Sequence, residues 1–352
     1  MIDSAANNLK GITLKTGWTV IEKITKDDNS TGSVFSICYK VKKNDNICFL
    51  KAFNFTPFFQ LSEQSGQNRS ITDIIGDMID AYKYERDLSK HCKSGHVTKV
   101  AFVIDSGEEM VPNFSINIVP YLIFELADGD VRHKLQYSER LDFAWKLKSL
   151  REIATGLRQL HNVNVSHQDL KPSNILLFDK ESKIGDLGRS MCKDIENQYN
   201  KTIYSGDWTY APPELMYGYY EPDWEKRVYA TDCYLLGSMV VFYFAGISMS
   251  ALLLKHIPNE FRWEKYRGSF DEVRPYILNA FDNSLIEFAN SIKNKYFSEE
   301  LKQIVAYLCF PFPEKRGHPK NISNVGNNYN LERFITKFEL LRRKAELKIW
   351  QQ

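Results

Sequence analysis

Paired cysteines are missing from this sequence, although it contains six cysteines scattered along 352 residues. Without C-x-x-C spacing, the cysteines do not form a zinc motif, and scattered thiols are typical of a reducing compartment rather than of a disulfide framework. The first residues also lack the charged and apolar regions of a signal peptide. We therefore expect a cytoplasmic protein with free thiols.

A strong net charge and a long apolar run are missing as well. The 46 basic and 44 acidic residues leave a formal net charge of +2. A chain with so small a net charge has no excess of basic residues that would attract nucleic acid or an anionic membrane surface. The most apolar run, residues 235–246, is shorter than the ~20 residues that span a bilayer. We expect neither a nucleic-acid partner nor a membrane partner.

The sequence also lacks internal repeats and low-complexity segments, and 43% of its residues are hydrophobic. This composition supports a large core, either in one two-lobed domain or in two small domains. Alternation of apolar and polar residues in the first third predicts an antiparallel meander, and helical periodicity dominates later. The predicted strands are 18–24, 34–41, 47–53, 100–104 and 120–126, and the predicted helices include 71–92, 143–160 and 331–350. Residues 42–46 are predicted to form a hairpin turn.

Residues 167–174, His-Gln-Asp-Leu-Lys-Pro-Ser-Asn, carry the strongest chemical pattern. Asp169 can accept the proton of an attacking hydroxyl, and Lys171 can hold a transferred phosphate. Asn174 can bind a metal ion from the same loop. Shortly afterwards, Asp186-Leu187-Gly188 supplies a second acidic residue before a glycine. The alternative is an ordinary polar loop that contains these residue types by chance.

The loop matches the template H-R-D-L-x-x-x-N except at the arginine position. Further along, the chain contains Ala-Pro-Pro-Glu ending at Glu214, Asp-Cys-Tyr-Leu-Leu-Gly beginning at Asp232, and a P-x-x-R element ending at Arg316. In this order, the elements resemble the eukaryotic-type, or Hanks-type, protein kinase superfamily over roughly residues 17–320. The resemblance implies that Arg316 pairs with Glu214.

The N-terminal half matches the same family less closely. Gly32 and Ser33 align with the Gly-rich loop, of which only the middle glycine survives. Lys51, on the third predicted strand, corresponds to the lysine that binds the α- and β-phosphates. Its neighbours are apolar, so a buried charge there needs a partner, and Glu85 near the end of the first helix is the candidate. A solvated lysine and a solvated glutamate are the alternatives.

The segment around residues 124–129 resembles the hinge between kinase lobes. By position, Phe124 would lie behind adenine, while the backbone groups of Glu125 and Ala127 would hydrogen-bond to it. The implied fold is α+β: a bilobal protein kinase fold with a small, antiparallel β-rich N-lobe and a larger, mostly helical C-lobe. The predicted boundaries are 1–16 for an N-terminal extension, 17–125 for the N-lobe, 126–325 for the C-lobe and 326–352 for a C-terminal amphipathic helix.

The resemblance implies an ATP-dependent protein kinase that acts on Ser or Thr hydroxyls of a protein substrate. Asp169 would be the catalytic base, and Asn174 and Asp186 would hold Mg²⁺ or Mn²⁺ between the lobes with ATP. The apolar stripe of the terminal helix predicts docking on the parent domain, with homodimerisation as the alternative.

Three positions depart from the family pattern. Gln168 replaces the arginine that often pairs with a phosphorylated activation loop, so that switch is expected to be absent. Asp207 stands where a threonine often contacts the catalytic Asp and Lys, which leaves the choice between Ser/Thr and Tyr open. Phe49 replaces a small residue above adenine and should share a strand face with Lys51. Candidate autophosphorylation sites in the activation segment are Ser190, Thr202, Tyr204, Ser205 and Thr209.

Two other functions remain open at this point. One is a pseudokinase, a binding or scaffolding module, which Phe49 and the incomplete Gly-rich loop favour. The other is a small-molecule kinase of the aminoglycoside-phosphotransferase type. The Ala-Pro-Pro-Glu and P-x-x-R elements argue against the second, because they build a platform for protein substrates in the family.

Overall fold

The computed structural model describes residues 4–24, 35–57, 70–137, 142–200, 202–323 and 327–347. The chain forms two compact units. The N-terminal unit contains Met1–His96 and Ala101–Asp128, and the C-terminal unit contains Val97–Val100 and Gly129–Gln352.

The N-terminal unit is built on a five-stranded antiparallel sheet that contains β1 (Thr19–Lys23), β2 (Ser36–Lys43), β3 (Asn46–Phe53), β4 (Val103–Met110) and β5 (Ile118–Glu125), in the order β1-β2-β3-β5-β4. Strand β2 ends at Lys43, two residues later than predicted, and β3 begins at Asn46, one residue earlier than predicted. Their hairpin therefore closes with the pair Lys43↔Asn46 rather than with a five-residue turn. Asn44 has φ 54°, a left-handed conformation that asparagine tolerates well and that tight hairpins require.

One face of this sheet is covered by the start of the chain. Leu9 and Leu14 are buried in the same cluster as Tyr39 and Leu50, and the Tyr39 hydroxyl donates to the carbonyl oxygen of Ala6 at 2.7 Å. The sequence predicts only an N-terminal extension over residues 1–16 and does not indicate this packing, because a few apolar residues in this segment follow no regular period. Residues 4–16 therefore complete the core of the N-terminal unit.

Helix α1 (Ile71–Ser94) packs on the other face. Its N-cap residue is Ser70. The side-chain oxygen of Ser70 accepts a hydrogen bond from the amide of Asp73, which satisfies one of the free donors of the first turn. Its buried Met78 and Tyr82 pack against Phe53 and Leu122 of the sheet. The helical stripe predicted for this segment is the surface that meets the sheet.

The predicted strand at 100–104 is wrong in its position. Strand β4 runs instead from Val103 to Met110, while Val100 forms an isolated parallel bridge with Ile184 inside the C-terminal unit. Residues 100–104 are divided between the two units, because Val100 belongs to the C-terminal unit and Ala101 to the N-terminal unit. Alternation of apolar and polar residues does not reveal such a division.

The C-terminal unit is mostly helical, with two small sheets. Its strands are β6 (Gly129–Asp130), β7 (Val165–Ser166), β8 (Ile175–Phe178), β9 (Glu181–Ile184) and β10 (Met191–Cys192). Its helices are α2 (Val131–Tyr137), α3 (Phe143–His161), α4 (Pro213–Met216), α5 (Trp224–Ala245), α6 (Met249–His256), α7 (Phe270–Ser291), α8 (Lys295–Leu308), α9 (Pro319–Ile322) and α10 (Glu332–Glu346).

Helix α5 is the core helix of this unit. With 22 residues it is longer than the apolar run that marks it in the sequence, and by length and composition alone it could cross a membrane. However, 78% of its most apolar window is buried inside the protein. Such burial is typical of the central helix of a globular domain.

Helix α10 docks on α3 within the same unit. Phe334, Phe338 and Leu341 from its apolar stripe are buried. At the rim, Arg151 of α3 pairs with Glu339 at 3.3 Å. This packing agrees with the predicted docking of the terminal helix on its parent domain.

Candidate active site

The backbone of the catalytic loop is fixed by Asp232, which lies on α5 and is fully buried. Its carboxylate accepts hydrogen bonds from the amides of His167 and Gln168, each at 2.9 Å, and from the Ser166 hydroxyl at 2.7 Å. Burial raises the pKa of Asp232, but the hydrogen bond from His161 and further donors outweigh burial and hold the pKa below its usual value. The sequence marked the motif that contains Asp232 without revealing this anchoring role.

Gln168 points into the protein from this loop. It has φ 64° and is buried, and its side-chain amide donates to the Ser166 hydroxyl at 2.7 Å and to the carbonyl oxygen of Val228 at 2.9 Å. The residue at the arginine position therefore supports the loop with neutral hydrogen bonds.

Asp169 is nearly buried and is held by three donors. Its Oδ1 accepts from the amide of Asp207 at 2.8 Å, and its Oδ2 accepts from Asn174 Nδ2 at 3.1 Å and lies 3.2 Å from Lys171 Nζ. A carboxylate has about four acceptor sites, so these contacts fix its orientation and leave capacity for one more donor. The structure thus brings the three predicted catalytic residues together.

Asn174 is oriented by the same residue. Its Nδ2 donates to the carbonyl oxygen of Asp169 at 2.8 Å as well as to the carboxylate. With its amide donors directed to Asp169, the side-chain carbonyl oxygen is the atom left for a cation. Oxygen ligands of this kind fit Mg²⁺ or Mn²⁺.

Asp186, the other predicted metal ligand, follows β9 and has φ 60°. A non-glycine residue in this left-handed conformation is uncommon and persists where the surroundings enforce it. Here the preceding Gly185 is bound to the catalytic loop twice. Its amide donates to the carbonyl oxygen of Asn174 at 2.8 Å, and its carbonyl oxygen lies 3.0 Å from His167 Nε2. The two acidic motifs are therefore joined by backbone contacts.

Asp207 extends the network from the activation segment. Its carboxylate lies 3.1 Å from Lys171 Nζ and accepts from the Thr209 hydroxyl at 2.7 Å. Burial raises the pKa of Asp207, but the bonds from Thr209 and Lys171 outweigh burial and lower the pKa overall. A Cβ atom on Gly206 would lie 2.1 Å from the carbonyl oxygen of Gln168, so only glycine lets Asp207 approach this closely.

The activation segment is held in place by contacts that do not involve phosphate. The Ser205 hydroxyl donates to the carbonyl oxygen of Arg189 at 2.6 Å, and Arg189 Nη1 donates to that of Ser205 at 2.8 Å. Tyr204 is buried as well, and so is Ser190. Three of the five candidate phosphorylation sites are thus inaccessible here, whereas Thr202 is partly exposed and Thr209 is exposed.

The predicted pair of Glu214 and Arg316 is present and fully enclosed. The two guanidinium nitrogens meet the two carboxylate oxygens at 2.8 and 2.9 Å. Burial lowers the pKa of Arg316, but the charge of Glu214 outweighs burial and raises the pKa above its usual value. A bidentate pair of this kind ties the end of the activation segment to the helical core.

In the N-terminal unit, Lys51 and Glu85 form the predicted ion pair. Lys51 Nζ lies 2.8 and 3.0 Å from the two carboxylate oxygens, and the side-chain exposures are 15% for Lys51 and 4% for Glu85. Lys51 comes from β3 and Glu85 from α1, so the pair joins the sheet to its covering helix.

Phe49 lies on the same face of β3 as Lys51, as predicted. The residues between and beside them, Cys48 and Leu50, are buried in the cluster on the opposite face. The ring of Phe49 is 6.3 Å from that of Phe124, its partner on β5. The remaining hinge residues follow at the end of β5, where Glu125 is exposed and Ala127 is partly buried. Gly32 and Ser33 of the Gly-rich loop lie outside the described residues.

Comparison with known proteins agrees with this arrangement. The family model "Protein kinase domain" matches residues 56–325. Serine/threonine-protein kinase KDX1 of Saccharomyces cerevisiae is 28% identical over 173 residues, which cover 47% of this chain and 39% of that protein. Mitogen-activated protein kinase 2 of Oryza sativa is 32% identical over 175 residues, 49% of this chain and 42% of that protein.

A third relative is the inhibitor of nuclear factor kappa-B kinase subunit alpha of Gallus gallus, with 33% identity over 177 residues, 47% of this chain and 21% of that protein. The matches to these three relatives span less than half the length of each. The family match and the architecture of the two units together confirm the predicted α+β protein kinase fold. This chain belongs to the protein kinase domain family.

Proposed function

We propose that this chain is an ATP-dependent protein kinase that transfers the γ-phosphate of ATP to serine or threonine hydroxyls of protein substrates. The observation that carries the proposal is the network around Asp169. A general base must be within about 2.6–3.2 Å of the proton it removes, and a carboxylate held by three donors offers one defined direction to a substrate hydroxyl. Lys171, beside it, opposes the negative charge of the transferred group.

The family resemblance assigns nucleotide-binding roles to individual residues. Lys51, oriented by Glu85, would hold the α- and β-phosphates. The side-chain oxygen of Asn174 and the carboxylate of Asp186 would hold Mg²⁺ or Mn²⁺, which supplies charge neutralisation for the phosphate oxygens when bound. The backbone groups of Glu125 and Ala127 would receive adenine, as the family resemblance implies.

The remaining features concern partners and location. We propose the cytoplasm as the location because the six cysteines are scattered without paired spacing, which is typical of a reducing compartment. A homodimer through α10 would have to use its outer surface, since Phe334, Phe338 and Leu341 are buried within the chain. A protein substrate is favoured over a small molecule because the enclosed pair of Glu214 and Arg316 fixes the end of the activation segment, the platform that the resemblance assigns to protein substrates.

The proposal is tested with Asp169→Asn and Asp186→Asn, and with Asp45→Asn in the exposed β2–β3 turn as the matched control. Transfer of labelled phosphate from Mg-ATP to a generic protein substrate is measured beside nucleotide binding by calorimetry. Asp169→Asn should abolish transfer and keep nucleotide binding, because the residue handles the acceptor. Asp186→Asn should weaken metal-dependent binding as well, and Asp45→Asn should match the wild type.

Other outcomes favour other functions. Nucleotide binding without transfer to any protein would support a pseudokinase. Transfer to a small hydroxyl compound alone would support a small-molecule kinase. Loss of nucleotide binding in Asp169→Asn, combined with normal binding in Asp186→Asn, would show that the two assigned roles are wrong.

A further inference from the structure

The catalytic loop carries one negative charge more than a threonine at position 207 would give it. Asp169 Oδ2 lies 3.2 Å and Asp207 Oδ2 lies 3.1 Å from the same Lys171 Nζ atom. Among the side chains that contact Lys171, two carboxylates and one ammonium leave a net charge of −1. A threonine hydroxyl in place of Asp207 would leave this group neutral.

This additional charge is fixed in position and partly open to solvent. The amide and hydroxyl of Thr209 donate to Asp207 Oδ1 at 3.1 and 2.7 Å, and the Asp207 amide donates to Asp169 at 2.8 Å. The Asp207 side chain is 24% exposed. Its pKa lies below the usual value, since the bonds from Thr209 and Lys171 outweigh burial, and the carboxylate is ionised at neutral pH.

The next residue adds an aromatic surface. Trp208 is 47% exposed, and its ring contacts that of Tyr204 edge-on at a centroid distance of 5.3 Å. Solvent-facing tryptophan rings bind lysine and arginine through cation–π interactions. Tyr204 is itself buried, so the indole packs against a fixed ring while about half of its surface stays exposed.

We propose that Asp207 and Trp208 make this enzyme select phosphoacceptors flanked by lysine or arginine and reject those flanked by an acidic residue. This inference rests on the proposed function and adds the class of substrate. The acceptor hydroxyl must reach Asp169, and adjacent residues of a peptide are only 3.8 Å apart, so a flanking side chain passes close to Asp207. A single charge at roughly 7 Å changes binding by about threefold at the dielectric constant of water and by about fiftyfold at the value typical of a protein surface, so a tenfold change lies within this range.

The test uses three peptides that differ only in the residue beside the acceptor serine, which is lysine, glutamine or glutamate. Specificity constants are measured for the wild-type chain, Asp207→Asn and Asp207→Thr. Glu196→Gln, which removes an exposed charge elsewhere in the activation segment, is the matched control. The wild type and Glu196→Gln should favour the lysine peptide over the glutamate peptide by about tenfold or more.

Asp207→Asn should reduce this ratio to about twofold, because asparagine keeps an oxygen for Thr209 and loses the charge. High salt should also reduce the wild-type ratio, since the Debye length falls from about 10 Å at 0.1 M to about 3 Å at 1 M. Equal use of the three peptides by the wild type overturns the inference alone, whatever the variants do, and so does a preference that survives in both Asp207 variants. Failure to phosphorylate any peptide or generic protein overturns the proposed function itself.

Discussion

Two ion pairs, Arg316 with Glu214 in the C-terminal unit and Lys51 with Glu85 in the N-terminal unit, differ in how completely they are enclosed. Arg316 and Glu214 have side-chain exposures of 0% and 4%. Beyond its pair, the guanidinium donates to the carbonyl oxygens of Phe310, Ala230 and Pro311. Lys51 and Glu85 are also close together, but the lysine is 15% exposed and carries a single ammonium group.

The difference in exposure matches the different chemistry of the two cations. A guanidinium with five donors in a rigid plane can satisfy a carboxylate and several carbonyl groups at once, which suits a site closed to solvent. An ammonium is a compact charge that can contact a carboxylate and still meet a phosphate. We infer that the enclosed pair stabilises the fold and that the partly exposed pair serves the reaction.

The largest effect should follow from opening the enclosed pair. Arg316→Met leaves the Glu214 carboxylate buried without its partner, so the free energy of unfolding should fall by about 3–5 kcal/mol. Arg316→Lys, which keeps the charge and loses the bidentate geometry, should give a smaller loss. Urea denaturation measures both. Lys193→Met, at an exposed pair with Glu225, is the control and should change stability by less than about 1 kcal/mol. A comparably small loss in Arg316→Met would contradict the inference that the enclosed pair stabilises the fold.

Replacing the lysine of the partly exposed pair by arginine should affect turnover rather than stability. Lys51→Arg keeps the pair with Glu85, so stability should stay within about 1 kcal/mol of the wild type, in the range of a tolerated substitution. The bulkier planar group cannot place phosphates in the same way, and we expect phosphoryl transfer to fall by about 100-fold, or 2.7 kcal/mol. Denaturation and a transfer assay on the same preparation check this. Unchanged transfer would remove Lys51 from the reaction.

A substitution at Phe49, which shares a strand face with Lys51, should have a smaller effect, and this effect should be on nucleotide binding. We predict from the family resemblance that Phe49 occupies space that the family leaves to the purine, so Phe49→Ala should tighten Mg-ATP binding several-fold, on the order of 1 kcal/mol. Calorimetric titration measures the change, and Met110→Ala, exposed on β4 of the same sheet, is the control. If neither the wild type nor Phe49→Ala binds nucleotide at millimolar concentration, the chain is a scaffold instead.

The smallest effect is expected from removing phosphate groups from the activation segment. Gln168 stands at the arginine position, and the activation segment is held by Arg189, Ser205 and the catalytic loop through hydrogen bonds. Phosphatase treatment should therefore change activity by less than about twofold, because position 168 provides no positive charge that would pair with a phosphate group. A large, reversible loss on dephosphorylation, reproduced by Thr202→Ala, would contradict this.

The catalytic loop was predictable because its chemistry lies within a few consecutive residues. Asp169, Lys171 and Asn174 are brought together by local turns, and their types and spacing are readable directly. The pairs of Lys51 with Glu85 and of Glu214 with Arg316 were accessible through the resemblance to a family. In contrast, the burial of Tyr204 and Ser205 was not predictable from the sequence, because it depends on how the activation segment folds on itself: Tyr204 packs with Ala211 and Leu215, and Ser205 bonds to Arg189.

The sequence by itself determined the order of the elements, the faces of α1 and α10 and the identity of the reactive groups, since periodicity and motif spacing are local properties. Only the tertiary structure showed that Asp232 anchors the catalytic loop, that residues 4–16 complete a core, and that Lys171 is shared by two carboxylates. These features arise from contacts between segments separated by tens of residues. The energy of such contacts depends on burial and geometry, which become defined only when the chain has folded.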